Sequence, residues 1–171
     1  MDYFELDEIR LESKNIIVES HSLPSNKKAM CAIFDNSQIP SVIFYDPQKM
    51  NSINEKRCSI LHEEMHIDHP ETTYFLNEPI KRKMEKESKV EYLMFKKYIP
   101  LKKLFSLLYF ENLTIYEIAE KLCLTEQLIK DAYDYYSSLE EWQNKLKSFL
   151  EEYGREPVSY THLRAHETRR H

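Results

Sequence analysis

The chain has 171 residues, 42% hydrophobic and 31% charged, with a net charge of −5 at pH 7. That length suits one compact domain with a real core, and no apolar run approaches the ~20 residues of a membrane span. Cys31, Cys58 and Cys123 are odd in number, far apart and without a CxxC. This argues against a disulfide framework or a cysteine-rich zinc site and points to the reducing cytoplasm, and the acidic start MDYFELDEIRLE does not read as a signal peptide.

In chain order, residues 3–14 carry a weak amphipathic helix pattern. "NIIVES" (15–20) reads as a short strand. "AMCAIF" (29–34), "DNSQIP" (35–40) and "SVIFYD" (41–46) read as strand, turn and strand, with β-branched and aromatic residues around turn formers. From Asn51 onward the pattern is helical. Ser52 with Glu55 makes a capping box for a helix that stops before Pro70, which disfavours helical geometry at His69. Glu78-Pro79 enters a helix over 80–98, and Pro100 begins another. "LTIYEIAEKLCLTEQLIKDAYDYY" (113–136) has the rhythm of a helix-turn-helix, two short helices joined at Cys123-Leu124 with Thr125 capping the second. Residues 138–153 form a last helix. The expected fold class is α+β, with one small early sheet of about three strands and a mainly helical remainder.

The helix after Ser52 contains His62-Glu63-Glu64-Met65-His66. His62 and His66 are one turn apart, so both imidazoles project from one face and can bind one ion. Glu63 lies beside them. In a zinc peptidase a carboxylate at this place takes a proton from the attacking water and passes it to the leaving amine. HExxH carries this meaning when it is helical.

A catalytic zinc needs a third protein ligand. His69 is nearest, but it is seven residues from His62, about 10 Å along a helix, too far for all three to share an ion. A metzincin would have glycine where His69 stands and histidine where Thr72 stands, so that class is rejected. What remains is a carboxylate from the next helix, where "KMEKESKVEYLMF" offers Glu85, Glu87 and Glu91. Glu87 and Glu91 share a face that Met94 extends, and spacing alone leaves the choice open.

A small N-terminal sheet, an HExxH helix, a glutamate-bearing helix and a helical tail, in that order over residues 15–137, resemble the ImmA/IrrE-type metallo-endopeptidases of bacteria, phages and mobile elements. The second helix of that family follows a pattern like E-x-x-A-x-x-(aromatic)-A-x-x-L. "ESKVEYLMFKKYIP" is similar, with Glu87 first, Val90 in the alanine slot, Leu93 and Met94 in apolar slots and Pro100 last. "IYEIAEKLCLTEQLIKDAY" is similar to a segment that follows in several small members. The resemblance implies zinc held by His62, His66 and Glu87, with Glu63 as general base. It also implies a protein substrate, often an Xre-like helix-turn-helix repressor encoded beside the protease. One departure stands out. The family commonly has H-E-[LI]-G-H, and Glu64-Met65 replaces its apolar-Gly pair. Glycine there lets another backbone approach the helix, which Met65 either occludes or repacks.

Other features have plainer readings. Cys58, one turn before His62, reads as a buried core residue more readily than as a ligand. Tyr92 and Tyr98 are core or cleft lining with hydroxyls able to meet an oxyanion, and His21 is structural or solvated. Residues 113–136 carry Glu117, Glu120, Glu126, Asp131 and Asp134 against Lys121 and Lys130, a net −3 that opposes DNA binding. Pro157 through Thr168 read as a translated transposon-end sequencing adapter. The expectation is a chain truncated near Glu156 and extended by an artefact, so His162, His166 and Glu167 carry no functional weight. Residues 157–171 hold +2, which leaves −7 on residues 1–156. The expected activity is zinc-dependent endopeptidase, with a partner-binding regulator of the same fold and a DNA-binding regulator as its rivals.

Overall fold

A computed structural model of the chain describes residues 3–24, 26–34, 38–73 and 77–154. It is α+β, a small three-stranded sheet near the N-terminus and a helical remainder. The chain divides into two compact units, Met1–Met94 and Phe95–His171.

In the first unit, α1 (Tyr3–Ser13) leads into β1 (Ile16–Ser20), followed by β2 (Ala29–Ala32) and β3 (Ser41–Tyr45). The sheet order is β1-β3-β2. β1 runs parallel to β3 in the register Ile16↔Ser41 to Ser20↔Tyr45, and β2 runs antiparallel to β3 from Ala29↔Tyr45 to Ala32↔Val42. Each strand is shorter than its sequence pattern. Asn15 takes φ 56, a left-handed conformation that asparagine tolerates but a strand does not. β3 ends before Asp46, whose buried carboxylate accepts from the Leu23 and Gln48 N–H groups at 3.0 and 3.1 Å. Those backbone donors, Leu23 first, hold the Asp46 carboxyl below its usual value. The turn expected over 35–40 lies partly outside the described residues, which omit 35–37.

Side chains alternate across the sheet, as a half-buried sheet requires. Ile16 and Ile43 are buried with Leu11 of α1, and Val18, Cys31, Ile60 and Ile67 pack against them, while Ile17 and Met30 face outward. α2 (Ile53–Asp68) brings Ile60 and Ile67 to this core. Ser52 Oγ accepts the Glu55 N–H at 3.0 Å, and the Glu55 carboxylate accepts from Asn51 N at 2.6 Å. The return half of the expected capping box therefore lands one residue early. His69 caps the C-terminus, and Pro70–Thr72 forms a 3-10 turn. α3 (Ile80–Tyr98) follows, with Val90 and Met94 buried.

The second unit holds α4 (Leu101–Phe105), a π-turn at Ser106–Phe110, α5 (Ile115–Leu122), α6 (Glu126–Ser137) and α7 (Glu140–Tyr153). Trp142 is its aromatic centre, with ring centroids of Phe105, Tyr133 and Tyr109 at 5.1, 5.6 and 5.9 Å. Thr114 and Glu117 close a full capping box on α5. Cys123 ends α5 at φ 50, and Leu124 N donates to Ala119 O at 2.9 Å, a Schellman-type stop before the Thr125 cap. The helix-turn-helix-like pair thus forms, joined at Cys123-Leu124 as expected. Among the described residues, no helix is long and apolar enough to cross a membrane.

Candidate metal centre

The cap at Ser52 and the stop at Pro70 make α2 a bounded helix, and its period sets His62 and His66 on one face. Their ring centroids are 5.1 Å apart. α3 delivers Glu87 to the same place. Its Oε2 lies 3.0 Å from His62 Nε2, and its Oε1 lies 3.7 Å from His66 Nε2. One ligand-capable atom from each of the three residues falls within 4.8 Å of the others. His66 is buried, and His62 and Glu87 are half-buried, so the cluster keeps access to solvent.

The imidazoles of His62 first and then His66 hold the Glu87 carboxyl far below the usual carboxylate range, against its burial. Burial disfavours a charged His62, but the Glu87 hydrogen bond and the charges of Glu63, Glu87 and Glu91 outweigh it and raise its pKa. Negative charge is thus concentrated around the two imidazoles.

Glu63 stands outside the cluster, half-buried on the same helix. It is hydrogen-bonded to Cys31 of β2. Burial first, then the Glu63 charge and hydrogen bond, push the Cys31 thiol well above its ordinary value. The thiol stays protonated and is the donor.

Chain comparisons add no relative. No family model, curated protein or solved structure matches this chain.

The other candidates fall away from the centre. Glu85 and Glu91 are exposed and outside the cluster, although the Glu91 charge acts on His62. His69 sits at the helix cap, 3.6 Å from Glu71. Cys58 is half-buried rather than buried, and it is no member of the cluster. Tyr92 is half-buried, and His21 is exposed beside the Phe44 ring. His162, His166 and Glu167 lie outside the described residues.

The structure adds residues that the sequence did not single out. Thr72 Oγ1 lies 3.0 Å from His66 Nδ1, and Cys31 meets Glu63. Arg10 of α1 and Lys14 just after it reach Glu64 inside the motif at 2.7–2.9 Å. Glu64 is fully buried and Met65 is 1% exposed. The departure from the apolar-Gly pair is therefore filled by packing and by the cations Arg10 and Lys14.

Proposed function

We propose that the chain is a zinc-dependent metallo-endopeptidase of the ImmA/IrrE type. The observation that carries this reading is the convergence of two imidazole Nε2 atoms from one helix with a carboxylate from another, while Glu63 is left free of the cluster. Two histidines and a glutamate are the donor set of a known class of catalytic zinc sites. Ligand atoms at 2.0–2.2 Å from a tetrahedral ion stand roughly 3.3–3.5 Å apart, and separations of 3.0 and 3.7 Å bracket that range.

His62, His66 and Glu87 would hold the zinc, which would supply Lewis acidity, lowering the pKa of water toward ~7 and polarising a carbonyl. Glu63 takes the proton from the attacking water and delivers it to the leaving amine. Cys31 holds the Glu63 carboxylate from the sheet side.

The substrate we propose is a protein, in particular a helix-turn-helix repressor encoded beside this gene. A net charge of −7 on residues 1–156 suits a basic, DNA-binding partner. The same acidity, with the net −3 of residues 113–136, opposes direct DNA binding.

Metal analysis and proteolysis with Glu63→Gln test the reading. About one zinc per chain is expected in both wild type and Glu63→Gln, with cleavage of the neighbouring repressor only by wild type. Undiminished cleavage by Glu63→Gln would sink the mechanism. Zinc retention without hydrolysis by wild type would favour the partner-binding regulator.

A further inference from the structure

We infer that Thr72 is a positioning residue of the metal centre, fixing the tautomer in which His66 presents a lone pair at Nε2. The inference rests on the metal reading above.

A hydroxyl has one proton to give. The Thr72 hydroxyl donates it to the His69 carbonyl at 2.7 Å. Toward His66 Nδ1, 3.0 Å away, Thr72 Oγ1 can then only accept. Nδ1 must carry a hydrogen, and the neutral ring keeps its lone pair on Nε2. That nitrogen is the one directed at Glu87, 3.7 Å from its Oε1. With the Thr72 hydroxyl proton given to the His69 carbonyl, the chain runs from His66 Nδ1–H to Thr72 Oγ1–H to His69 C=O.

Local structure makes the relay rigid. Pro70 opens the 3-10 turn, and Thr72 N donates to His69 O at 2.8 Å, so backbone and hydroxyl of Thr72 grip the same carbonyl. Thr72 is fully buried and His66 is 5% exposed, so water does not compete. A β-branched side chain has few rotamers in which to lose this contact. Lys89 of α3 pairs with Glu71 of the turn at 2.9 Å, and Lys86 donates to Thr73 O at 2.5 Å. The helix that carries Glu87 is thereby tied to the turn that carries Thr72. Groups that orient a ligating histidine through its second nitrogen commonly matter 10–100-fold in metal affinity.

The test compares Thr72→Val, which keeps the shape and loses the hydroxyl, with Thr72→Ser, which keeps the hydroxyl and loses a methyl. Zinc affinity is read by competition with a chromogenic chelator at fixed pH. The ring tautomer of His66 is read by ¹⁵N NMR of the zinc-loaded protein. The inference expects Thr72→Val to bind zinc roughly 10–100-fold more weakly. Thr72→Ser should stay within about threefold of wild type and keep the Nδ1–H signal of His66. A residue that only fills space gives the opposite order, because valine preserves the packing and serine leaves a void. That order, or equal affinity of Thr72→Val and wild type, overturns the inference. A wild-type chain that takes up no zinc overturns the metal reading itself, and this inference with it.

Discussion

Arg10 on α1 forks its Nε and Nη2 onto the two carboxylate oxygens of Glu64 at 2.9 and 2.7 Å, and Glu64 is fully buried within the His62–His66 turn. Lys14 adds a third contact at 2.7 Å and bridges on to Asp68. Arg10 also pairs with Asp7 at 2.6 Å, and Asp7 pairs with the buried Arg57. α1 is therefore clamped to α2 through charges that alternate in sign.

A buried carboxylate robbed of its cation is costly, whereas an apolar pair in its place is often harmless. Arg10→Ala leaves Glu64 with Lys14 alone and is expected to destabilise the protein by roughly 1–3 kcal/mol. Arg10→Leu combined with Glu64→Leu should recover most of that. Urea unfolding of the three proteins checks it, and a single-mutant loss below about 0.5 kcal/mol would mean that the clamp is not holding α1.

Ligand identity is separable from acidity in general. Glu87→Gln and His66→Ala should each reduce bound zinc at least tenfold, because each removes one of three donors. Glu85→Gln and Glu91→Gln should retain it, with Glu91→Gln showing only the weaker effect of a distant charge. Elemental analysis after dialysis distinguishes the four, and full retention in Glu87→Gln would move the third ligand elsewhere.

The metal-free protein should carry a pH signature of the His62–Glu87 contact. The depressed Glu87 pKa stabilises the fold above the unfolded glutamate value of 4.5 and is lost as pH falls toward its folded value. The raised His62 pKa contributes fully below the unfolded histidine value of 6.5 and is lost as pH rises through its folded value. Both contributions coexist between those limits. The stability gap between metal-free wild type and Glu87→Gln is expected to be widest at about pH 5–6 and to shrink above that. Zinc should bind more tightly over the same rise, since His62 must shed its proton to ligate. A gap that is flat from pH 4 to pH 9 would contradict the pairing.

Cys31 should be chemically quiet for a half-buried thiol. Its raised pKa leaves little thiolate at neutral pH, so alkylation by iodoacetamide at pH 8 should be at least tenfold slower than for a free cysteine. Cys31→Ala is expected to lower kcat about fivefold with KM unchanged, one weak hydrogen bond's worth. Cys31→Ser should restore kcat. Rapid alkylation in the native state would place Cys31 away from Glu63.

Much of the local structure was legible in the residues themselves. Ser52 and Thr125 marked helix starts because a hydroxyl can satisfy N–H groups a helix leaves open. Pro70 marked a stop because its ring excludes helical geometry at His69. The 3.6-residue period alone put His62 and His66 on one face, since that placement needs no contact beyond the helix. These rules act over a few residues of chain. The π-turn at Ser106–Phe110 and the misplaced return contact of Glu55 had no such local signal.

What joins α2 to the rest was decided by tertiary structure. Spacing could not choose among Glu85, Glu87 and Glu91, because a helical period assigns faces without saying which face meets another helix. Glu87 was picked out by resemblance, and packing then brings its carboxylate between the two imidazoles. Arg10 reaches Glu64 across 54 positions, and Thr72 lies under His66 only because a 3-10 turn folds back beneath the helix end. Cys31 meets Glu63 only once a strand is laid against α2. Each of these contacts is a short-range force between residues that only the folded chain makes neighbours.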